Sequence, residues 1–214
     1  MIPSTIEAPS VPPSVEERAV RATLVCIARH GLAKTTFDDV AREAGCARAT
    51  LYRYFGGKHH LVRVTIAREA ARIAETIRAA GEAETSYEDA VVAMVVRAAC
   101  ELRDHEALQF VFTFEPELVL PHVTFDAGSR FLAAAGAAVT PVLERFVAPK
   151  RSSRAAEWLA RVVLTHAMAP SSRIDLTDEA AARGLVREFV LPGVAGTDTI
   201  LPTTQISSPA SQRG

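Results

Sequence analysis

Between Thr36 and Lys58 the chain reads TFDDVAREAGCARATLYRYFGGK, and this stretch admits few conformations. Phe37, Val40, Ala41 and Ala44 recur at i, i+3, i+4 and i+7, the apolar stripe of one helix, while Asp38, Arg42 and Glu43 face away from it. Thr36 stands at the N-cap position and Asp39 follows three residues later, so the free amides of the first turn meet acceptors and negative charge. Gly45 then permits a sharp exit from the helix. Beyond it, Leu51 and Phe55 share one face of a second helix and Arg48 and Tyr52 the opposite face. Two turns of helix are unstable alone in water, so a neighbour has to hold them. The pattern is a helix-turn-helix whose second helix turns an arginine, a threonine and two tyrosines outward.

The remainder of the chain reads as helices, giving an all-α fold. Residues 1–13 carry four prolines and little periodicity, and are expected to form a disordered arm. Ser14 and Glu17 form a capping box that opens a helix with the stripe Val20, Leu24 and Ile27, ending at Gly31. After Gly56 and Gly57 a long helix begins at Lys58, with Val62, Ile66, Ala70, Ile73 and Ile77 as its stripe, and runs to Gly81. At about 1.5 Å per residue it spans roughly 30 Å, enough to join a small head to a separate body. Thr85 and Glu88 suggest the next capping box, opening a broadly apolar helix through Val91, Val95, Ala99 and Leu102. Residues 105–125 are rich in aromatics and interrupted by Pro116 and Pro121. Helices are then expected over 127–147, kinked or split at Pro141, over 152–169, and after a Thr177 cap with Ala181, Leu185 and Phe189 on one face. Residues 196–214 have no folding pattern and read as a disordered tail. The domains are thus the arm, a helix-turn-helix head at 14–60, a helical body at 61–195 and the tail.

Bulk properties narrow the function. The net charge of the 214 residues is −1, yet from Ser14 to His60 eight basic residues face five acidic ones, the sign a DNA-facing head requires. No apolar run reaches the roughly 18 residues of a spanning helix, and the N-terminus lacks the form of a secretion signal, so a cytoplasmic location is expected. Cys26, Cys46 and Cys100 show no paired spacing, which fits idle thiols better than disulfides, a metal knuckle or a redox switch at Cys46. His122 and His166 lack thiolate or carboxylate neighbours at ligand spacing. No phosphate loop, catalytic triad, metal motif or cofactor motif stands out, so an enzyme is disfavoured and neither a cofactor nor a metal is expected. An adaptor using the helix-turn-helix only as scaffold is the competing reading.

Thr35, Thr36, Ala41, Ala44, Gly45, Thr50, Leu51, Tyr52, Tyr54, Phe55 and Lys58 together resemble the TetR family of bacterial one-component transcriptional regulators. The chain departs from the family where a serine often caps the recognition helix, having Ala47, and where Gly57 precedes Lys58. The resemblance implies DNA-binding residues at Thr35, Thr36, Arg48, Ala49, Thr50, Tyr52, Arg53, Tyr54 and Lys58. Arg48 and Tyr52 would enter the major groove, with Arg48 bidentate on guanine, while Thr36, Thr50, Tyr54 and Lys58 would reach phosphates. It further implies a homodimer on a palindromic double-stranded DNA operator, probed here by Trp158, Val162, Leu185 and Phe189 as interface candidates. A small-molecule effector in the body would then release the DNA by moving the long helix. Val95, Ala99, Phe110, Phe114, Phe125 and Phe131 are the pocket candidates, and would suit an apolar effector; phenylalanines at this density also serve as plain core. No membrane partner is implied.

Overall fold

The computed structural model describes residues 13–123 and 125–195, with the side chains of 121–130 and of 194–195 excepted. The expected arm, apart from Pro13, and the expected tail lie outside the described residues. Among those described there is no strand, and no helix is long and apolar enough to cross a membrane. The head comprises α1 (Val15–Lys34), α2 (Phe37–Glu43) and α3 (Arg48–Phe55). A 25-residue helix, α4 (Lys58–Glu82), leads into α5 (Tyr87–Asp104), α6 (Glu106–Phe114), α7 (Pro116–Val123), α8 (Phe125–Glu144) and α9 (Pro149–Met168). The chain closes with α10 (Glu179–Leu185), a π-helical turn over Val186–Val190, and α11 (Leu191–Ala195).

Local signals explain most of the boundaries. Ser14 and Glu17 make the anticipated reciprocal cap on α1, and Thr36 and Asp39 do the same on α2. The last turn of α1 continues to Lys34, but only after a break at Gly31, whose φ of 83° and ψ of 164° leave the helical region. Elsewhere the cap falls one residue later than the sequence pattern suggests. Ser86, not Thr85, accepts from Asp89 N–H at 3.1 Å, because Glu88 is drawn away to Arg183 and Arg187. Asp178, not Thr177, caps α10, since the Thr177 amide and hydroxyl both donate to Asp175 in a tight turn. Helix α9 begins three residues ahead of Ser152, at Pro149, a residue preorganised for the first helical position. Pro141 does not split α8, and Pro121 lies within α7.

Two apolar cores give the molecule its division. In the head, Ala19, Ala22 and Cys26 of α1 pack with Phe37, Val40 and Ala41 of α2, Leu51 and Phe55 of α3, and Leu61 of α4. Leu51 is completely buried, and its truncation to alanine would cost about 2–5 kcal/mol. The body core gathers Val91, Val92, Met94 and Val95 of α5 with Val142 and Leu143 of α8, Leu159 and Val163 of α9, and Ala182, Val186 and Val190 of the final helical run. Gly136 lets α8 approach α9 so closely that a Cβ there would sit 2.9 Å from the Glu157 amide nitrogen.

Two amphipathic assignments shift by one position, that of α4 only over its first turns. On α4 the buried residues are Leu61, Thr65, Ile73 and Gly81; of the expected stripe Ile66 is 57% exposed, whereas Ile73 is buried and Ile77 packs against the body core. The first turns of α4 answer to the head core and the later turns to the body, so no single stripe runs its length. In the final run Ala182, Val186 and Val190 face the core, leaving Phe189 57% exposed.

Candidate nucleic-acid interface

The candidate surface is built on the buried face of α3. Leu51 and Phe55 anchor that helix, and Gly45, at φ 63°, makes the turn that brings it across α2. With its inner face fixed, Arg48, Ala49, Tyr52, Arg53 and Tyr54 are left exposed on the outer side, and Thr50 half-buried. Tyr52 remains 45% exposed while its ring leans on Phe37 at 4.7 Å between centroids, so its hydroxyl end projects and its stem is braced. Tyr54 is 49% exposed, with the Arg53 guanidinium over its ring at 5.6 Å.

Arg48 does not hang free. Its guanidinium donates to Asp38 Oδ2 at 2.7 Å and approaches the Tyr52 hydroxyl at 3.4 Å, sitting 5.4 Å from the centre of that ring. Asp38, which the helical pattern of α2 leaves simply facing away, therefore buttresses the residue best suited to guanine. Sequence spacing gave no hint of it, because the two residues lie on different helices and meet only through the turn. The first turn of α3 has no side-chain cap, as Ala47 predicts.

Two of the sequence candidates have other duties. Thr35 is only 1% exposed and donates its hydroxyl to Gly31 O at 2.6 Å, so it holds the end of α1 and is not a surface contact. Lys58 is half-buried, and its ammonium donates to Leu32 O at 3.0 Å and Ala33 O at 3.2 Å, tying α4 to the same segment. Thr36 is exposed, but its hydroxyl already bonds the Asp39 carboxylate at 2.5 Å. That bond, together with the Thr36 amide, holds the Asp39 carboxyl below the ordinary aspartate range.

Residues 19–65 match the family profile described as bacterial regulatory proteins, tetR family. The head of the chain matches the TetR family. The chain is 29% identical over 157 residues to an uncharacterised HTH-type transcriptional regulator of Mycobacterium tuberculosis, covering 72% of this chain and 73% of that one. Among solved structures, the TetR family repressor AlkX of a Dietzia strain, implicated in biodegradation of n-alkanes, superposes with a TM-score of 0.59 at 22% identity, covering 81% of this chain and 92% of that one. The fatty acid degradation regulator FadR of Bacillus halodurans gives 0.59 at 19% identity, with coverages of 85% and 99%. These likenesses extend the shared all-helical fold well past the head. The chain is thus a transcriptional regulator with a helix-turn-helix DNA-binding domain, and not an enzyme.

The helical body does not gather the pocket candidates. Val95 is core at 3% exposure, Phe114 is 68% and Phe131 45% exposed, and the Phe110 ring meets that of Phe114 in a tilted pair at 4.9 Å while approaching Gly31. The Phe125 and His122 side chains lie outside the described residues. Ala99 lines a space of about 270 Å³ between α5, α9 and the α9–α10 connection, bounded also by Arg103, Val163, His166 and Ile174. His166 is turned back to its own helix, its Nδ1 2.9 Å from Val162 O. Of the interface candidates, Trp158 and Phe189 are exposed at 41% and 57%, whereas Val162 and Leu185 are half-buried against the body core. Cys26 is buried, which pushes its thiol pKa up, and all three cysteines are unpaired.

Proposed function

We propose that the protein is a repressor that binds a palindromic operator as a homodimer and is released by a small molecule held in the helical body. The observation that carries this reading is the outer face of α3, where Arg48, Tyr52 and Tyr54 stand exposed above a fully buried Leu51. A helix presented in this way fits the major groove, with Arg48 bidentate on a guanine and Tyr52 beside it. Thr36, Thr50, Arg53 and Tyr54 serve the flanking phosphates, which fix register without reading sequence. Lys58 reaches a phosphate only with whatever donor capacity its two carbonyl bonds leave. Dimerisation through α9 and the final helical run is supported by the exposure of Trp158 and Phe189 there, large apolar groups that a partner copy would cover. An apolar effector is supported by the names of the two structural neighbours and by the exposed Phe114 and Phe131 on the body. Acting on chromosomal DNA places the protein in the bacterial cytoplasm.

The test is a gel-shift titration against DNA upstream of the chain's own gene at several salt concentrations. A palindrome-dependent complex that weakens steeply with salt is the expected result. Absence of any complex at every salt would leave the helix-turn-helix as a scaffold for protein contacts.

A further inference from the structure

Helix α1 belongs to both halves of the molecule. Its Ala19, Ala22 and Cys26 lie in the head core, whereas Ile27 is buried with Ala107 and Val111 of α6, and Leu24, Ala28 and Leu32 pack around them. Just beyond, the break at Gly31 frees the next two main-chain amides from the helix. Both turn to one side chain. Leu32 N–H donates to Glu115 Oε2 at 2.7 Å and Ala33 N–H to Glu115 Oε1 at 3.1 Å. Glu115 stands between α6 and α7 and is 8% exposed, the one acidic residue among the buried polar groups of the described residues. From the opposite side Lys58, the first residue of α4, donates to the carbonyls of the same Leu32 and Ala33.

The fit permits no slack. A Cβ on Gly31 would lie 2.5 Å from Glu115 Oε1 and 2.7 Å from the Phe110 ring, and the left-handed φ disfavours any side chain there independently. A buried carboxylate is tolerable only when hydrogen-bonded, and losing it would leave the part-buried Leu32 and Ala33 amides without this acceptor. Mechanically, the head meets the body along two routes, α4, whose Leu61 lies in the head core, and the packing of α1 on α6. The Glu115 bonds pin the end of α1 to the second of these.

We propose that Glu115 is a positioning residue: through the Leu32 and Ala33 amides it fixes the angle at which the body presents the head, and so selects the half-site spacing that a dimer accepts. This rests on the reading of the protein as a dimeric operator binder. The spacing of two half-sites is a geometric demand, since each added base pair displaces one by about 3.4 Å and rotates it by about a tenth of a turn.

The experiment uses the full-length protein and a palindrome selected by it from random DNA, followed by versions with one and two base pairs inserted between unchanged half-sites. Glu115→Gln keeps the shape but offers the two amides one good acceptor, and Gly31→Ala displaces the carboxylate from the head side; Glu117→Gln, at an exposed position two residues on, is the control. Wild type and control are expected to lose about tenfold or more in affinity on insertion of one base pair, and the two joint variants less than about threefold, with single half-site affinity unchanged. Hydrogen exchange at Leu32 and Ala33 reports whether the joint has opened. Exchange that accelerates while the spacing preference stays at the wild-type value overturns the proposal, as does loss of single half-site binding by both variants, which would make Glu115 a folding residue only. Wild-type protein that selects no palindrome at all overturns the operator reading itself, a result distinct from either.

Discussion

Arg48, the proposed groove residue, is already held by Asp38. The 2.7 Å contact keeps the guanidinium beside Tyr52; in the proposed docking this would lower the side-chain entropy lost but set a carboxylate near the phosphates. Arg48→Ala is expected to cost about 1–3 kcal/mol of operator affinity and to relax discrimination at one base pair per half-site, read by titrating a set of single-base operator variants. Uniform weakening across that set would instead make Arg48 a phosphate contact. Asp38→Asn should act in the other direction on affinity, tightening binding to all DNA by removing a repulsive charge, while narrowing the gap between operator and unrelated sequence because Arg48 loses its buttress. Fluorescence anisotropy on both DNAs measures the two effects together. Arg48, Tyr52 and Tyr54 were legible from helical spacing alone. Asp38 was not, and Thr35 was misread, because a threonine at the end of α1 can face either a phosphate or its own helix and only the fold chooses.

The elements were set largely by their ends. Ser14–Glu17 and Thr36–Asp39 were visible as pairs three residues apart, and both form. The weak end is that of α3, where Ala47 gives no side-chain cap. Ala47→Ser should add about 0.5–1 kcal/mol and raise the thermal midpoint by a few degrees for a chain of this size, measured by calorimetry. The α2 cap carries a pH signature. Asp39 has its folded pKa depressed by Thr36, so its contribution is fully present above the unfolded aspartate value of about 4 and is lost as pH falls through the lower, folded value. The difference in melting temperature between wild type and Asp39→Asn should therefore hold constant from pH 7 to about 5 and close towards pH 3. A difference that persists undiminished in acid would show that the carboxylate charge is not what caps the helix. Thr85 and Thr177 fail as caps for different reasons: Ser86 takes the α5 cap while Glu88 pairs with Arg183 and Arg187, and Thr177 turns to Asp175 and leaves the α10 cap to Asp178.

At the scale of the molecule the exposed groups carry the argument. Phe189 and Trp158 remain uncovered on α9 and the final helical run, while Val186 and Val190 of that run fill the core. Phe189→Arg is expected to leave the protomer folded and to convert a dimer to a monomer in sedimentation velocity, with palindrome binding falling to the level of a single half-site. An unchanged sedimentation coefficient would place the interface elsewhere. The sequence by itself determined the all-helical class and the buried and outward faces of the helix-turn-helix, because helical periodicity, caps and glycine breaks act over a few neighbouring residues. Tertiary structure decided what those local rules cannot reach: which side of α4 is buried along each half of its length, the dispersal of the phenylalanines, the Asp38 buttress, and the capture of Leu32 and Ala33 by Glu115 more than 80 positions away. Each of these depends on where separate helices cross, and helix crossing is fixed by packing of whole faces, which no short stretch of sequence contains.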